Sequence, residues 1–124
     1  MSQTALTVVV LVQNNVAVTA GQLTLTPTAM DAANGNSFAA TGREVLVFEN
    51  TDTSAHTVTI SSVPDSLGRS DTSLTTYSIP AAVGGASGVA AIQMKFLTGW
   101  LQTNGLIYLA TSSALVKVSV LQSN

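Results

Sequence analysis

Cysteine is absent from all 124 residues. That excludes disulfides, a thiolate nucleophile, and any zinc or blue-copper centre that needs a Cys ligand. Charge is scarce as well. Only 8% of the residues are Asp, Glu, Lys or Arg, about a third of the usual share of roughly 25%. Four basic residues against six acidic ones leave a net charge of −2, with no electrostatic footprint for nucleic acid. The aromatics are Phe38, Phe48, Tyr77, Phe96, Trp100 and Tyr108, too few to line a base-stacking surface. Long apolar runs are missing. Ala5–Val12 is interrupted at Gln13 and has no Lys or Arg ahead of it, so it is too short for a membrane helix and lacks the basic start of a signal peptide. The expected partners therefore include no nucleic acid and no membrane.

What the chain has in quantity is Val, Thr, Ala, Ser and Leu. Val and Thr are stiff at χ1 and fit a pleated surface better than a helix. Thr4–Val12 reads as one strand covered on both faces. Gln22–Thr28 alternates Leu23 and Leu25 with Thr24 and Thr26, and Pro27 marks an edge or an end. Arg43–Glu49 sets Val45 and Val47 on one face and Leu46 and Phe48 on the other. Ala55–Ser61 sets His56, Val58 and Ile60 against Thr57, Thr59 and Ser61. The polar turn Asn50–Ser54 spaces these two strands like a hairpin. Further strands are read at Thr76–Ile79, at Val89–Leu97 with Ala90, Ile92, Met94 and Phe96 facing the core, at Leu106–Thr111, and at Leu115–Leu121 with Val116, Val118 and Val120 inward. Met30–Gly42 and Val63–Thr75 read as long loops. About eight strands with turn signals roughly every 8–12 residues define an all-β chain. The expected fold is one antiparallel β-sandwich domain over residues 1–124, jelly-roll or Greek-key like.

Chemistry finds little support in the motifs. The carboxylates Asp31, Glu44, Glu49, Asp52, Asp65 and Asp71 do not pair at any motif spacing. Asp65 and Asp71 share a loop with Arg69, where a solvated turn explains them as well as acid–base work does. Gly84-Gly85-Ala86-Ser87-Gly88 lacks the Lys-Ser/Thr ending of a phosphate loop and reads as a hairpin turn. His56 is the only histidine. A Ser-His-Asp triad would have to use it, and no Gly-x-Ser-x-Gly elbow is present. The chain is expected not to be an enzyme and to bind no cofactor, metal or small-molecule substrate. Trp100, beside Gly99, fits either an interface anchor or a plug at one end of the sandwich.

Two resemblances add to this reading. Val47-Phe48-Glu49-Asn50 followed by Ala55-His56-Thr57-Val58-Thr59-Ile60 resembles the strand-turn-strand of cupredoxins, which implies a copper ligand at His56. The Cys and the second His of such a site are missing, so the metal is not carried over. The stretch from Arg43 to Leu121 resembles small virion proteins of tailed bacteriophages of the capsid decoration, or cement, type. It carries Tyr77-Ser78-Ile79-Pro80-Ala81, Leu97-Thr98-Gly99-Trp100 and Gly105-Leu106-Ile107-Tyr108-Leu109, with Val47–Ile60 upstream. The resemblance implies a β-sandwich on the phage capsid surface that stabilises the shell. Its partners would be the major capsid protein and copies of itself, as a homotrimer. The alternatives are a tail, neck or fibre component and a carbohydrate-binding β-sandwich module. Interface candidates are Trp100, Val8, Val10 and Arg69. The low charge fits the same function, because interface cores are depleted in charge.

Overall fold

The computed structural model describes residues 3–12, 25–63, 76–95 and 97–123. Among them are ten strands and no helix: β1 (Thr4–Ala5), β2 (Val8–Val10), β3 (Thr28–Ala29), β4 (Asn36–Ala39), β5 (Glu44–Asn50), β6 (His56–Ile60), β7 (Thr76–Ile79), β8 (Gly88–Met94), β9 (Leu106–Thr111) and β10 (Val116–Gln122). They form two sheets. Sheet A runs β1-β4-β9-β6-β7, and sheet B runs β2-β10-β5-β8 with β3 also paired to β10.

One core joins the sheets in a sandwich-like arrangement. Sheet A contributes Phe38, Val58, Ile60, Ile79, Ile107 and Leu109; sheet B contributes Leu46, Phe48, Met94, Val116, Val118 and Val120. The period-2 pattern of the sequence sets this division, since alternate side chains leave opposite faces of a strand. In β5, Leu46 and Phe48 are fully buried while Val45, Val47 and Glu49 lie on the outer face. Burying each large apolar side chain contributes about 1.5–3 kcal/mol over leaving it in water.

Four expectations are corrected. The sheets are mixed, because β1 pairs parallel with β4 and β2 pairs parallel with β10. Thr4–Val12 is not one strand covered on both faces. It changes sheets between Ala5 and Val8 and supplies a margin strand to each, with Val10 51% exposed. The strands around Asn50–Ser54 do not form a hairpin. β5 belongs to sheet B and β6 to sheet A, and the buried Asn50 fixes the crossing by donating from Nδ2 to the Ser54 carbonyl at 2.8 Å while its Oδ1 accepts the Asp52 N–H at 2.9 Å. Finally, Met30–Gly42 is not a free loop. It contains β4, and Met30 and Phe38 are both core residues.

That loop region turns at Gly35, whose φ of +80° suits glycine and whose Cα lies too close to the Leu109 carbonyl for a Cβ. Asn36 is buried at no enthalpic loss: its Oδ1 accepts the Asp31 N–H at 2.8 Å and its Nδ2 donates to the Thr4 carbonyl at 3.3 Å. The readings at Val16–Thr19, Leu23, Phe96 and most of Val63–Thr75 fall outside the described residues.

Candidate functional site

The one carboxylate–imidazole–hydroxyl line among the described residues forms where two inter-sheet crossings meet. The β5–β6 turn carries Asp52, β6 opens on His56, and Ser112 follows β9. His56 Nε2 lies 2.7 Å from Asp52 Oδ2, and His56 Nδ1 lies 3.4 Å from Ser112 Oγ. A carboxylate only accepts, so the network assigns the proton to Nε2 and leaves Nδ1 to accept from the Ser112 hydroxyl. The His56 hydrogen bond, aided by the Thr53 N–H, holds the Asp52 carboxyl below its ordinary value of 3.8. The order of groups is that of a nucleophilic relay, and sequence spacing gave no hint of it, because Ser112 is 56 residues from His56.

The surroundings make it a clamp. Ser112 Oγ already accepts the Thr57 N–H at 3.0 Å, and Ser112 N–H donates to the Thr57 carbonyl at 3.1 Å. Thr51 N–H and Oγ1 both donate to the Leu115 carbonyl, at 3.1 and 2.9 Å. Each contact joins the β5–β6 crossing to the β9–β10 crossing. Among the described residues no group of three or more His, Asp or Glu side chains could hold a metal ion. At the cupredoxin-like position, His56 Nε2 is engaged by Asp52.

A second polar site closes the opposite end of β5. Glu44 is fully buried. Its Oε1 accepts the Thr41 and Gly42 N–H groups at 2.7 and 3.0 Å, and its Oε2 accepts the Thr41 hydroxyl at 2.6 Å. Burial alone would raise its pKa, but these hydrogen bonds outweigh it and the carboxyl is held below 4.5. Asp31 acts similarly on the surface: the Thr4 hydroxyl first, then the Asn34 and Ala33 groups, hold it down to about 2. It thereby ties β1 to the turn before β4.

The interface candidates separate. Val8 packs against the core from β2, while Val10 at the end of β2 is exposed. Trp100 is half-buried against the core cluster together with Leu97 and Leu101, and among the described residues its buried Nε1 has no hydrogen-bond partner. Arg69 lies outside the described residues, as do Asp65 and Asp71. Gly84 and Gly85 close a two-residue turn between the bridged Val83 and Ala86.

What the sequence reading missed is the chemistry of the two outward faces. On sheet A the outward positions of β6 and β7 are Thr57, Thr59, Thr76 and Ser78. On sheet B, cross-strand rows place Lys117, Glu49 and Val89 side by side, then Ser119, Val47 and Ala91, then Leu121, Val45 and Gln93. The outward positions of β6 and β7 thus carry hydroxyls where β5 carries valines, while β9 and β4 add Leu106, Tyr108, Ala110, Ser37 and Ala39 to the outer side of sheet A. Beside the second face, a cleft of about 310 Å³ opens at β10, lined by Val9, Leu25, Thr26 and Ser119 among others. Val10 and Leu25 are exposed nearby. Among the described residues no helix is long and apolar enough to cross a membrane. No family model, curated protein or solved structure matches the chain.

Proposed function

We propose that this chain is a structural subunit of a tailed-bacteriophage virion, a capsid decoration protein that stabilises the shell, and not an enzyme. The observation that carries the assembly part of this reading is the outward face of sheet B. Val45, Val47, Val89, Ala91 and Leu121 share it with only two strand-borne charges, Glu49 and Lys117. A face that stays in water on a β domain is ordinarily polar at alternate positions, as β6 and β7 of sheet A are. The phage shell as the place of assembly rests on the resemblance of Arg43–Leu121. The committed Ser112 hydroxyl favours a clamp over a nucleophile. Adjacent strands that change sheets at β1–β2, β3–β4, β4–β5, β5–β6, β7–β8, β8–β9 and β9–β10 suit the jelly-roll or Greek-key sandwich that this reading implies.

The partners under this proposal are the major capsid protein and further copies of the chain, as a homotrimer on the outer capsid surface. Purified protein mixed with shells of the major capsid protein should co-sediment with them and raise their disruption temperature. A protein that stays in the supernatant at every ratio and leaves the shells unchanged would sink the reading. A tail, neck or fibre role predicts binding to those parts of intact particles, located by labelling and microscopy. A carbohydrate-binding module predicts glycan binding that depends on Trp100.

A further inference from the structure

We infer that the outward face of sheet B packs against the same face of a second copy, about a two-fold axis that runs along the strands between β5 and β10. The inference rests on the assembly reading above and names the contact.

Three observations lead there. First, β5 turns valines outward where β6 of sheet A turns threonines. Val47 and Thr59 are both mid-strand, outward and half-buried, yet one is valine and the other threonine. The two residues are nearly isosteric and both favour strands, so the fold itself does not demand valine at 45 and 47. Second, the outer strand of this face, β8, is Gly-Val-Ala-Ala-Ile-Gln-Met with Val89 56% exposed and no charge or proline along it. Edge strands kept from association usually carry such devices. Third, the charges on the face complement one another. Lys117 and Glu49 are direct cross-strand neighbours, and among the described residues neither joins an ion pair within the chain.

The charges choose the symmetry. An axis along the strands midway between β5 and β10 lays each β5 over the partner's β10. Lys117 then faces the partner copy's anion at position 49, twice over, Val45 meets Leu121, and Val47 lies over Ser119, which its own chain already buries. Arg43 and Lys95 lie just past the ends of β5 and β8, and this axis sets Arg43 over Ser123 and not over a second cation. An axis across the strands would instead press Lys117 onto Leu121 and Glu49 onto Val45, burying both charges unpaired, which is costly. Two sheets packed this way sit about 10 Å apart with their strands within about 30° of parallel.

The magnitude is modest. Four strands about 4.8 Å apart and seven residues of about 3.3 Å each give roughly 400 Å² per copy, half of what a standard stable interface buries on each side. The dimer is therefore concentration-dependent. If the trimer of the resemblance also forms, the same contact joins two trimers into a hexamer.

The test is sedimentation velocity of the whole chain across a concentration series. Wild type should show reversible doubling of the protomer or of its trimer. Val45→Thr with Val47→Thr should abolish the doubling while circular dichroism and the melting temperature stay as in wild type. Lys117→Glu and Glu49→Lys should each weaken it by about tenfold, since each places two like-charge pairs across the axis. Mixing those two variants should restore it, because opposite charges then meet only between chains; within each chain positions 49 and 117 still carry the same sign. Wild type without doubling, doubling that ignores these substitutions, or a mixture that fails to recover would each overturn the contact. Shell co-sedimentation of wild type is read separately. Binding without doubling leaves the assembly reading standing and removes only this contact.

Discussion

The strands β6 and β7 of sheet A and β5 and β8 of sheet B turn different chemistry outward from the same kind of strand. Thr57, Thr59, Thr76 and Ser78 face out on one side; Val45, Val47, Val89 and Ala91 face out on the other. The inward positions do not differ in kind: Val58, Ile60 and Ile79 behind the first face correspond to Leu46, Phe48 and Val118 behind the second. Folding needs only the inward set and β-branched residues at alternate positions. The outward difference between these strands is therefore not set by folding. Hydroxyls keep their hydrogen bonds in water, as the Thr59 and Thr76 hydroxyls do with each other at 3.2 Å, whereas valines gain only by being covered.

The comparison holds only if the valines of β5 lie outside the core. Leu46→Ala should lower unfolding stability by about 2–5 kcal/mol, the range for an aliphatic side chain removed from a packed core. Val47→Ala, one residue along and on the other face, should cost well under half of that when measured on dilute protein. Denaturant melts of the two variants decide the matter. Equal losses would mean that the chain itself buries both faces of β5, and the contrast between the sheets would vanish.

The faces keep their register because the ends of the strands are pinned, and Glu44 is the deepest pin. Glu44→Ala leaves the Thr41 and Gly42 N–H groups without their acceptor and should cost about 1–3 kcal/mol. The sign of its pH dependence follows from a carboxyl held below 4.5 in the folded chain. Its stabilisation is present above the unfolded value and is lost as pH falls through the folded one. Asp52 and Asp31, also held low, act in the same direction, with Asp31 titrating down to about 2. Wild-type stability should decline from about pH 4.5 downward, and Glu44→Ala should flatten the upper part of that decline. Thermal melts from neutral to acid pH read both.

Much of this frame was legible in the residues. Thr76–Ile79 and Leu106–Thr111 were bounded as they stand, and alternation identified the inward faces of β6, β8 and β10 and separated the two faces of β5 without saying which is inward. The sheet to which each strand belongs was not legible, because a five-residue polar turn such as Asn50–Ser54 serves a hairpin and a crossing equally well. Here the buried Asn50 amide, and not turn length, decides. β4 stayed hidden since Asn36-Ser37-Phe38-Ala39 lacks strand propensity, and its buried Asn is tolerated only through partners at Thr4 and Asp31. The run Thr4–Val12 misled for a related reason. Continuous apolarity marks two-sided burial, and it equally marks a strand that changes sheets midway. The Asp52–His56–Ser112 clamp joins residues far apart in sequence, so no local motif could announce it.

Trp100 offers a smaller test of what lies at an end and what lies on a face. Its buried indole N–H lacks a partner among the described residues, and an unmade hydrogen bond of this kind is a standing cost. Trp100→Phe keeps a ring against Leu97 and Leu101 and removes the donor. The expected melting temperature is unchanged or raised, with self-association as in wild type. A loss of association would make Trp100 an interface anchor and move the contact from the valine face to the end of the sandwich.

The smallest effect on stability should come from rebuilding one face in the image of the other. Thr57→Val with Thr59→Val leaves the backbone bonds of β6 in place, among them the Thr57 N–H to Ser112 Oγ. It removes one exposed hydroxyl pair and adds β-branched methyls of almost the same volume. Unfolding stability should shift by no more than about 0.5 kcal/mol, as surface substitutions do. The solution behaviour should change far more. With valine outward on both sheets the chain has two faces that gain from being covered, and a two-fold contact on each no longer closes at a pair. Light scattering should then show growth past the wild-type oligomer, while Val45→Thr with Val47→Thr in the same chain should return it to one sticky face. If the four-residue variant and wild type associate alike, outward valines are interchangeable between sheets and hydropathy alone drives the contact. If adding valines to sheet A changes nothing, the Lys117–Glu49 pairing and the shape of β8, and not valine content, would set the proposed contact on sheet B.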